Sequence, residues 1–587
     1  MNTFIWNGNF QKEIHGNEWD AEFYQHIRSR YIKTDKIAIQ DEYQGIISLR
    51  TRLSERWSLQ LNNTSNVVAD NRVIDLGRMA QHQVLAGFEY MPFSMSSVQA
   101  LVGYELNSQE NERDRGFSYK LGFDSRNIQL EEFDVSLQSS WNQSFLGRRS
   151  PRTGGMHFQF LRDFGGGVED SLIIDYGVQR REFYSSLSLA GQQMLGVQHN
   201  IFQRDARVLE VANQIKYHLN QDFSLNVVGG ISNTNIDRGY RFIDPTSVIL
   251  DTRIQEIQFY GNISLQWNIF DWLESYGKLS YTEREERHSV SNRMTVTDTV
   301  FRKQQASANR LENAAQRTMW TLGLMSKPTD YDRISLTSSA GILQYDTPDS
   351  TNTDDRDELL VTTGIEYIHV FSNQLKLSIV GDLTLFHMVY IHRDQSANNN
   401  WNRVIRFSPS IEYTPTPWLR TVTRTEVLAN YTVSDYEEQV ASIKSFSYRQ
   451  AMWSDSTSLQ LTDKILCNFS GSLRIFERGT LRWKEFIEKP EDYFVEKAFW
   501  PELIWTSDYG LKVGIGYRYF SQDRYRFQDS KKHFNQGIEA VGPTVVIEWI
   551  GLGKERMRIN GWLEEQKRNQ KTIATISNLS IQVEFIL

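Results

Sequence analysis

Two histidines, a lone cysteine, a glycine triplet and an acidic stretch are the places where this 587-residue chain has residue types that could do chemistry. His387 and His392 stand in Phe386-His387-Met388-Val389-Tyr390-Ile391-His392-Arg393. Imidazoles bind metals, but side chains five residues apart on an extended segment point to opposite faces, so these two cannot share an ion unaided. Residues 346–358 carry Asp346, Asp349, Asp354, Asp355, Asp357 and Glu358, an oxygen-rich set of the kind that binds calcium. The plainer reading is a solvated loop tip. Gly165-Gly166-Gly167-Val168 looks like a phosphate loop but lacks the lysine and the Ser/Thr that such loops need, so it reads as a turn. Cys467 is the only cysteine, which excludes an intrachain disulfide and every multi-cysteine metal site. Eleven scattered histidines give no local triad. No catalytic residue, cofactor or metal site is assigned, and the chain is expected not to be an enzyme.

What must position these residues is a train of two-residue alternations. The clearest covers residues 257–269, where Ile257, Phe259, Ile263, Leu265, Trp267 and Ile269 alternate with Gln258, Tyr260, Asn262, Ser264, Gln266 and Asn268. Strict alternation means a strand with one apolar and one wet face. These strands are long and uniform, and their aromatics gather at the ends. That pattern suits strands whose apolar face meets lipid and whose polar face lines a lumen, a transmembrane β-barrel. The mean hydropathy is −0.50, and no run of 18 apolar residues exists to form a membrane helix. A barrel strand needs only every second residue apolar. The net charge of −8 gives no reason to expect nucleic acid.

Short Gly/Pro/Asn/Asp/Ser turns punctuate the train, among them 54–56, 125–127, 165–167, 220–222, 327–330, 415–417 and 551–553. Roughly 35–60 residues separate neighbouring turns, room for two strands and one longer polar loop. The long loops are expected near 110–115, 189–205, 284–309, 346–357, 394–400, 436–441 and 522–533. Counting turns, with a final strand over 573–587 and a first one over 22–32, gives about 26 antiparallel strands in one up-and-down barrel, within a range of 22–28. An even number places both termini on the periplasmic side. Residues 1–21 are then a short N-terminal periplasmic segment and 22–587 the barrel. Residues 1–6 lack the basic start and apolar core of a secretory signal, so the leader of an exported protein is expected outside this numbering.

Two sets of residues follow. Trp57, Phe93, Phe223, Trp272, Tyr331, Trp418 and Tyr509 lie in or directly after short turns and are expected to form an interfacial girdle. Gln258, Asn262, Gln266, Asn268, Glu274, Lys278, Lys376, Asp382, Lys512 and Arg518 are expected to face the lumen. Their mixed sign is not that of a one-sign ion filter.

With an alternating last strand that carries Phe585 near its end, the chain resembles bacterial outer-membrane β-barrels of the large class. In size it is similar to the sheaths of porin–cytochrome conduits and to the lipopolysaccharide-inserting barrel. The second family relies on disulfides, which a single cysteine cannot supply. The resemblance implies the bacterial outer membrane, contact with lipid and lipopolysaccharide, and a lumen too wide to be left open. The expected role is a conduit or scaffold filled by a partner protein or plug. A diffusion porin with inward-folded loops, 189–205 and 284–309 being the best placed, and a component of a surface or secretion complex are the alternatives.

Overall fold

Alternation of apolar and polar residues forces the chain into strands, and each strand's two faces must find different surroundings. The computed structural model describes residues 2–34, 37–70, 78–109, 112–242, 251–290, 297–437, 445–551 and 555–586. It contains 27 strands in one sheet. In chain order the first nine are β1 (Asn2–His15), β2 (Trp19–Lys33), β3 (Ile37–Arg52), β4 (Trp57–Asp70), β5 (Met79–Phe93), β6 (Ser96–Gln109), β7 (Glu112–Leu130), β8 (Phe133–Phe145) and β9 (Arg152–Asp163). There follow β10 (Val168–Ser186), helix α1 (Leu189–Leu195), β11 (His199–His218), β12 (Phe223–Tyr240), β13 (Thr252–Phe270), β14 (Leu273–Val290), helix α2 (Asp298–Asn309), β15 (Asn313–Ser326), β16 (Asp332–Asp346), β17 (Arg356–Ser372) and β18 (Leu375–Tyr390). The last are β19 (Asn400–Thr416), β20 (Leu419–Ser434), β21 (Ser445–Thr462), β22 (Ile465–Arg482), β23 (Ile487–Thr506), β24 (Leu511–Gln528), β25 (Lys531–Ile550), β26 (Arg556–Arg568) and β27 (Lys571–Ile586).

Every strand pairs antiparallel with its sequence neighbours, and β1 also pairs with β27, which closes the barrel. That closing pair is parallel, with Trp6 opposite Ile581 and Phe10 opposite Phe585. The strand number is therefore odd, where an even one was expected. With an odd number the first and last strands run the same way, so the N-terminal and C-terminal ends of the wall lie at opposite rims. The expectation that both termini are periplasmic does not hold. The source of the difference is β1. Residues 2–15, read from sequence as a segment outside the wall, are a full strand of it.

Other boundaries shift too. The turn expected at 125–127 is a register irregularity between Ser125 and Ile128, and the chain reverses at 131–132 instead. The loop expected over 522–533 is almost all strand, reversing at Asp529-Ser530 with φ of 49° and 62°. Two successive left-handed residues make the tight hairpin that matches strand twist, and Asp tolerates that conformation. Asn569-Gln570 repeats it. The end of the turn expected at 551–553, at 552–553, lies outside the described residues, as do parts of the expected loops 110–115, 284–309 and 436–441.

Few apolar side chains are buried. Phe259, Ile263, Trp267, Ile342, Ile405, Val427 and Ile515 are among many that stand exposed along the strands. A two-layer protein would hide these faces; a single closed layer presents them to lipid. The wall bends sharply at β5–β7. There Gly87 and Gly103 approach the neighbouring backbone so closely that a Cβ on them would lie 2.0 Å from the Ala100 carbonyl oxygen and 1.8 Å from that of Val84. Only glycine fits at such a crease. Leu85 and Leu101, directly opposite these glycines, fill its inside and are 3% and 0% exposed.

Candidate functional site: the lumen wall

Side chains on a concave sheet face converge, and those on the convex face diverge. In the body of the wall, away from the rims, contacts that skip a strand therefore mark the inside. Arg50 of β3 meets Glu89 of β5 at 2.8 Å, and the Tyr260 hydroxyl of β13 donates to Glu210 of β11 at 2.5 Å. The Gln83 side-chain amide of β5 donates to Ser118 of β7 at 2.6 Å and reaches Ser144 of β8 at 3.4 Å. Residues directly opposite each other on paired strands share a face. Tyr260 is an even position of β13, so Gln258, Asn262, Gln266 and Asn268 share its concave face. Asn268 is opposite Glu274 and Ser264 opposite Lys278, which carries the face onto β14. Following the registers through β15–β17 places Lys376 and Asp382 of β18 on it, and following them through β19–β23 places Lys512 and Arg518 of β24 there. The ten residues expected in the lumen share one face of the sheet, but they spread around the wall and form no single cluster.

Their electrostatics is that of pairs. Arg406 of β19 holds Asp382 at 2.6 Å, Arg420 holds Glu412 at 2.8 Å, and Arg558 holds Glu548 at 3.2 Å. The Gln266 amide donates to Glu274 at 2.8 Å. Among the described residues Lys278, Lys376, Lys512 and Arg518 have no ion-pair partner.

The seven girdle aromatics stand at one rim, the one where β27 ends, because successive short turns of an up-and-down wall return to the same side. Trp57 packs on Tyr90 at 4.6 Å, and Phe270 stacks on Trp272 at 5.3 Å. Tyr331, Trp418, Phe93 and Tyr509 are 60%, 51%, 74% and 87% exposed. Phe223 opens β12 opposite Trp267. Trp19, which follows the first turn at this rim, was missed because β1 was missed.

The opposite rim carries what sequence reasoning did not find. The β8–β9 connection is short, and Arg149 within it is 4% exposed. Its guanidinium donates to Asp114 at 2.7 Å, to Asn107 at 2.8 Å and to the Glu182 carbonyl at 3.3 Å, and the Tyr184 hydroxyl donates to Asp114 at 2.9 Å. This clasp ties β6, β7 and β10 together above the shorter β8. Elsewhere at this rim, the candidate acidic loop satisfies its own oxygens. The Thr351 hydroxyl and amide donate to Asp349 and hold its carboxyl below the usual range. Burial pushes Asp355 up, but the Thr347 hydroxyl and amide together with His392 outweigh it and hold Asp355 low. His387 stacks on Trp401 at 4.1 Å and bonds Asp435 at 2.9 Å, so the two histidines serve separate carboxylates.

Helix α2, within the expected inward loop 284–309, is pinned to the end of β14: the Gln305 side chain accepts from the Val290 amide at 3.0 Å. Helix α1 is capped by Ser188, whose hydroxyl accepts from the Gly191 amide.

No family model and no curated protein sequence matches the chain. Solved structures do. The chain is similar to the FrpB iron transporter from Neisseria meningitidis, at 9% identity and a TM-score of 0.39 over 90% of this chain and 80% of that one. It is similar to the copper transporter OprC at 11% identity and a TM-score of 0.38, over 85% and 82% of the two chains. The outer membrane transporter YddB from Escherichia coli matches at 8% identity and a TM-score of 0.38, over 86% and 84%.

Proposed function

We propose that this chain is a bacterial outer-membrane barrel that forms a wide conduit whose lumen is filled by a plug or a partner protein, without a catalytic step of its own. One observation carries the reading: the size of the wall against the chain left over to fill it. Twenty-seven strands at ~4.8 Å spacing and a tilt of ~40° give a circular wall with a diameter on the order of 50 Å. Barrels of 22 strands already need a plug. Among the described residues the connections between strands sit at the rims, and the two helices have 7 and 12 residues. The described residues outside the wall are too few to fill it. The apolar outer face and the aromatics at the rim support the membrane setting.

The test is planar-bilayer conductance of the purified chain, alone and as isolated with whatever co-purifies. Large, stable steps from the chain alone that fall when the co-purifying protein is retained are the expected result. Small, gated steps from the chain alone overturn the partner requirement and favour a porin narrowed by its own loops.

A further inference from the structure

The polar lumen wall holds an aromatic recess at β23–β26, and its chemistry is specific. Trp500 of β23 and Trp562 of β26 stand on the concave face two strands and more apart, and the Arg518 guanidinium lies between them, 5.1 Å from one ring and 5.6 Å from the other. Between the two tryptophans the wall is close-packed, with glycine where the strands meet most tightly. A Cβ on Gly516 would meet the Thr544 hydroxyl at 2.7 Å and Trp500 Nε1 at 3.2 Å, and one on Gly542 would meet the Leu563 carbonyl oxygen at 1.7 Å. Beside them lies a cavity of about 730 Å³, lined by Trp500, Arg518 and Trp562 with Gly514 and Gly561, whose apolar sides include Ile5, Leu466 and Ile504. That volume is the size of a pocket for a small organic molecule, roughly 300–1,000 Å³.

The polar groups around it are unequally spent. Glu548 is held by Arg558 at 3.2 Å. Glu502 also lines the recess. Arg518 and Lys512 carry no ion pair among the described residues, which leaves two cations unspent against one carboxylate. Thr544 is 4% exposed, and its hydroxyl in the floor has no hydrogen-bond partner. An arginine already flanked by two indole faces keeps its in-plane N–H groups free for an oxyanion, while the rings offer flat apolar surface.

We propose that this recess binds an aromatic or similarly flat apolar carboxylate, its ring against the indoles and the apolar sides of the recess and its carboxylate toward Arg518 and Lys512. The site belongs to the wall and does not depend on what fills the centre of the lumen. The test uses the full chain in lipid nanodiscs, with 2-naphthoate as probe and tryptophan fluorescence together with calorimetry as readouts. The neutral isostere 2-naphthalenemethanol controls for simple partitioning into lipid. Saturable 2-naphthoate binding at least tenfold tighter than the alcohol is expected. Arg518→Gln should weaken it at least tenfold and remove the preference for the acid. Trp562→Leu should weaken acid and alcohol alike. Lys278→Gln, across the wall, should change nothing. Heat-modifiable migration confirms that each variant is a closed barrel. Equal affinity for acid and alcohol overturns the proposal, as does an Arg518→Gln barrel that binds the acid as wild type does. Neither result bears on the conductance that tests the conduit reading.

Discussion

A carboxylate on the lipid-facing side of a barrel is costly unless its lone pairs are met. Asp455 of β21 lies on that side, opposite Thr423 and next to Trp453 along the same face. Hydroxyls of Thr423, Thr457 and Thr421 donate to it at 2.6, 2.7 and 3.1 Å. The group is thus solvated by its own strand and its neighbour. Thr423→Val removes the shorter of two hydroxyl donors to one carboxylate oxygen, leaving Thr421, and is expected to destabilise the barrel by about 1.5–3 kcal/mol, the contribution of a hydrogen bond to a charged group. In an Asp455→Leu background the same change should be nearly neutral. Urea titration of folding into lipid vesicles, read as a double-mutant cycle, checks this. Equal costs in both backgrounds would mean that the hydroxyls do not serve the carboxylate. The acidic loop between β16 and β17 makes a second residue-scale prediction. Asp349 and Asp355 titrate below the ordinary carboxylate range when folded, so their contribution is fully present above that range and is lost as the pH falls through their depressed values. Amide exchange at Thr347 and Thr351, corrected for intrinsic rate, should stay slow at neutral pH and rise only below about pH 4. Asp355→Asn should remove the protection at Thr347 already at pH 7.

At the scale of elements the seam decides the architecture. Parallel pairing of β1 with β27 puts the Phe10 and Phe585 rings 5.3 Å apart in a stack. Cysteines at these two positions, in a Cys467→Ser background, should form a disulfide on oxidation, since directly opposed strand residues lie within bridging range. If β2 took the place beside β27 instead, the wall would have one strand fewer and the two cysteines would stay free. A reducible shift in gel migration separates these outcomes. The seam also shows where the sequence stopped being legible. Strands such as β13 declare themselves because Ile257, Phe259, Ile263, Leu265 and Trp267 keep a strict period of two. In β1 the outward row is Phe4, Trp6, Gly8 and Phe10, and Ile5 on the inward row breaks the contrast. One apolar residue on the wrong face and one glycine on the right one hid a strand, and with it the parity. That the ten polar residues share one face was legible, because facing follows from local alternation. The Trp500–Arg518–Trp562 recess was not, because only the pairing of β23 through β26 brings residues 62 positions apart onto one spot of the wall.

At the scale of the whole molecule, the charge on the wall and the width of the lumen set how ions see it. The concave face alternates in sign, with Asp382 beside Arg406, Glu412 beside Arg420 and Glu548 beside Arg558. Fields from such pairs cancel within a few ångströms. At 0.1 M salt the Debye length is about 10 Å, well short of the distance to the axis of a lumen on the order of 50 Å wide. Ions near the axis are therefore indifferent to the wall, and only ions that hug it meet the lysines that have no ion pair. The isolated barrel should show a reversal potential near zero in a tenfold KCl gradient, far from the limit for either ion. Reversing the sign at Lys278, Lys376 and Lys512 together should move that potential modestly toward the cation limit at 0.1 M salt and hardly at all at 1 M, where the Debye length shrinks to about 3 Å. Strong selectivity from the unaltered chain would show that the lumen is far narrower than its wall, with residues from the rim folded across it. The salt dependence makes the measurement decisive, because a narrow constriction keeps its selectivity at 1 M and a wide mixed-sign wall does not.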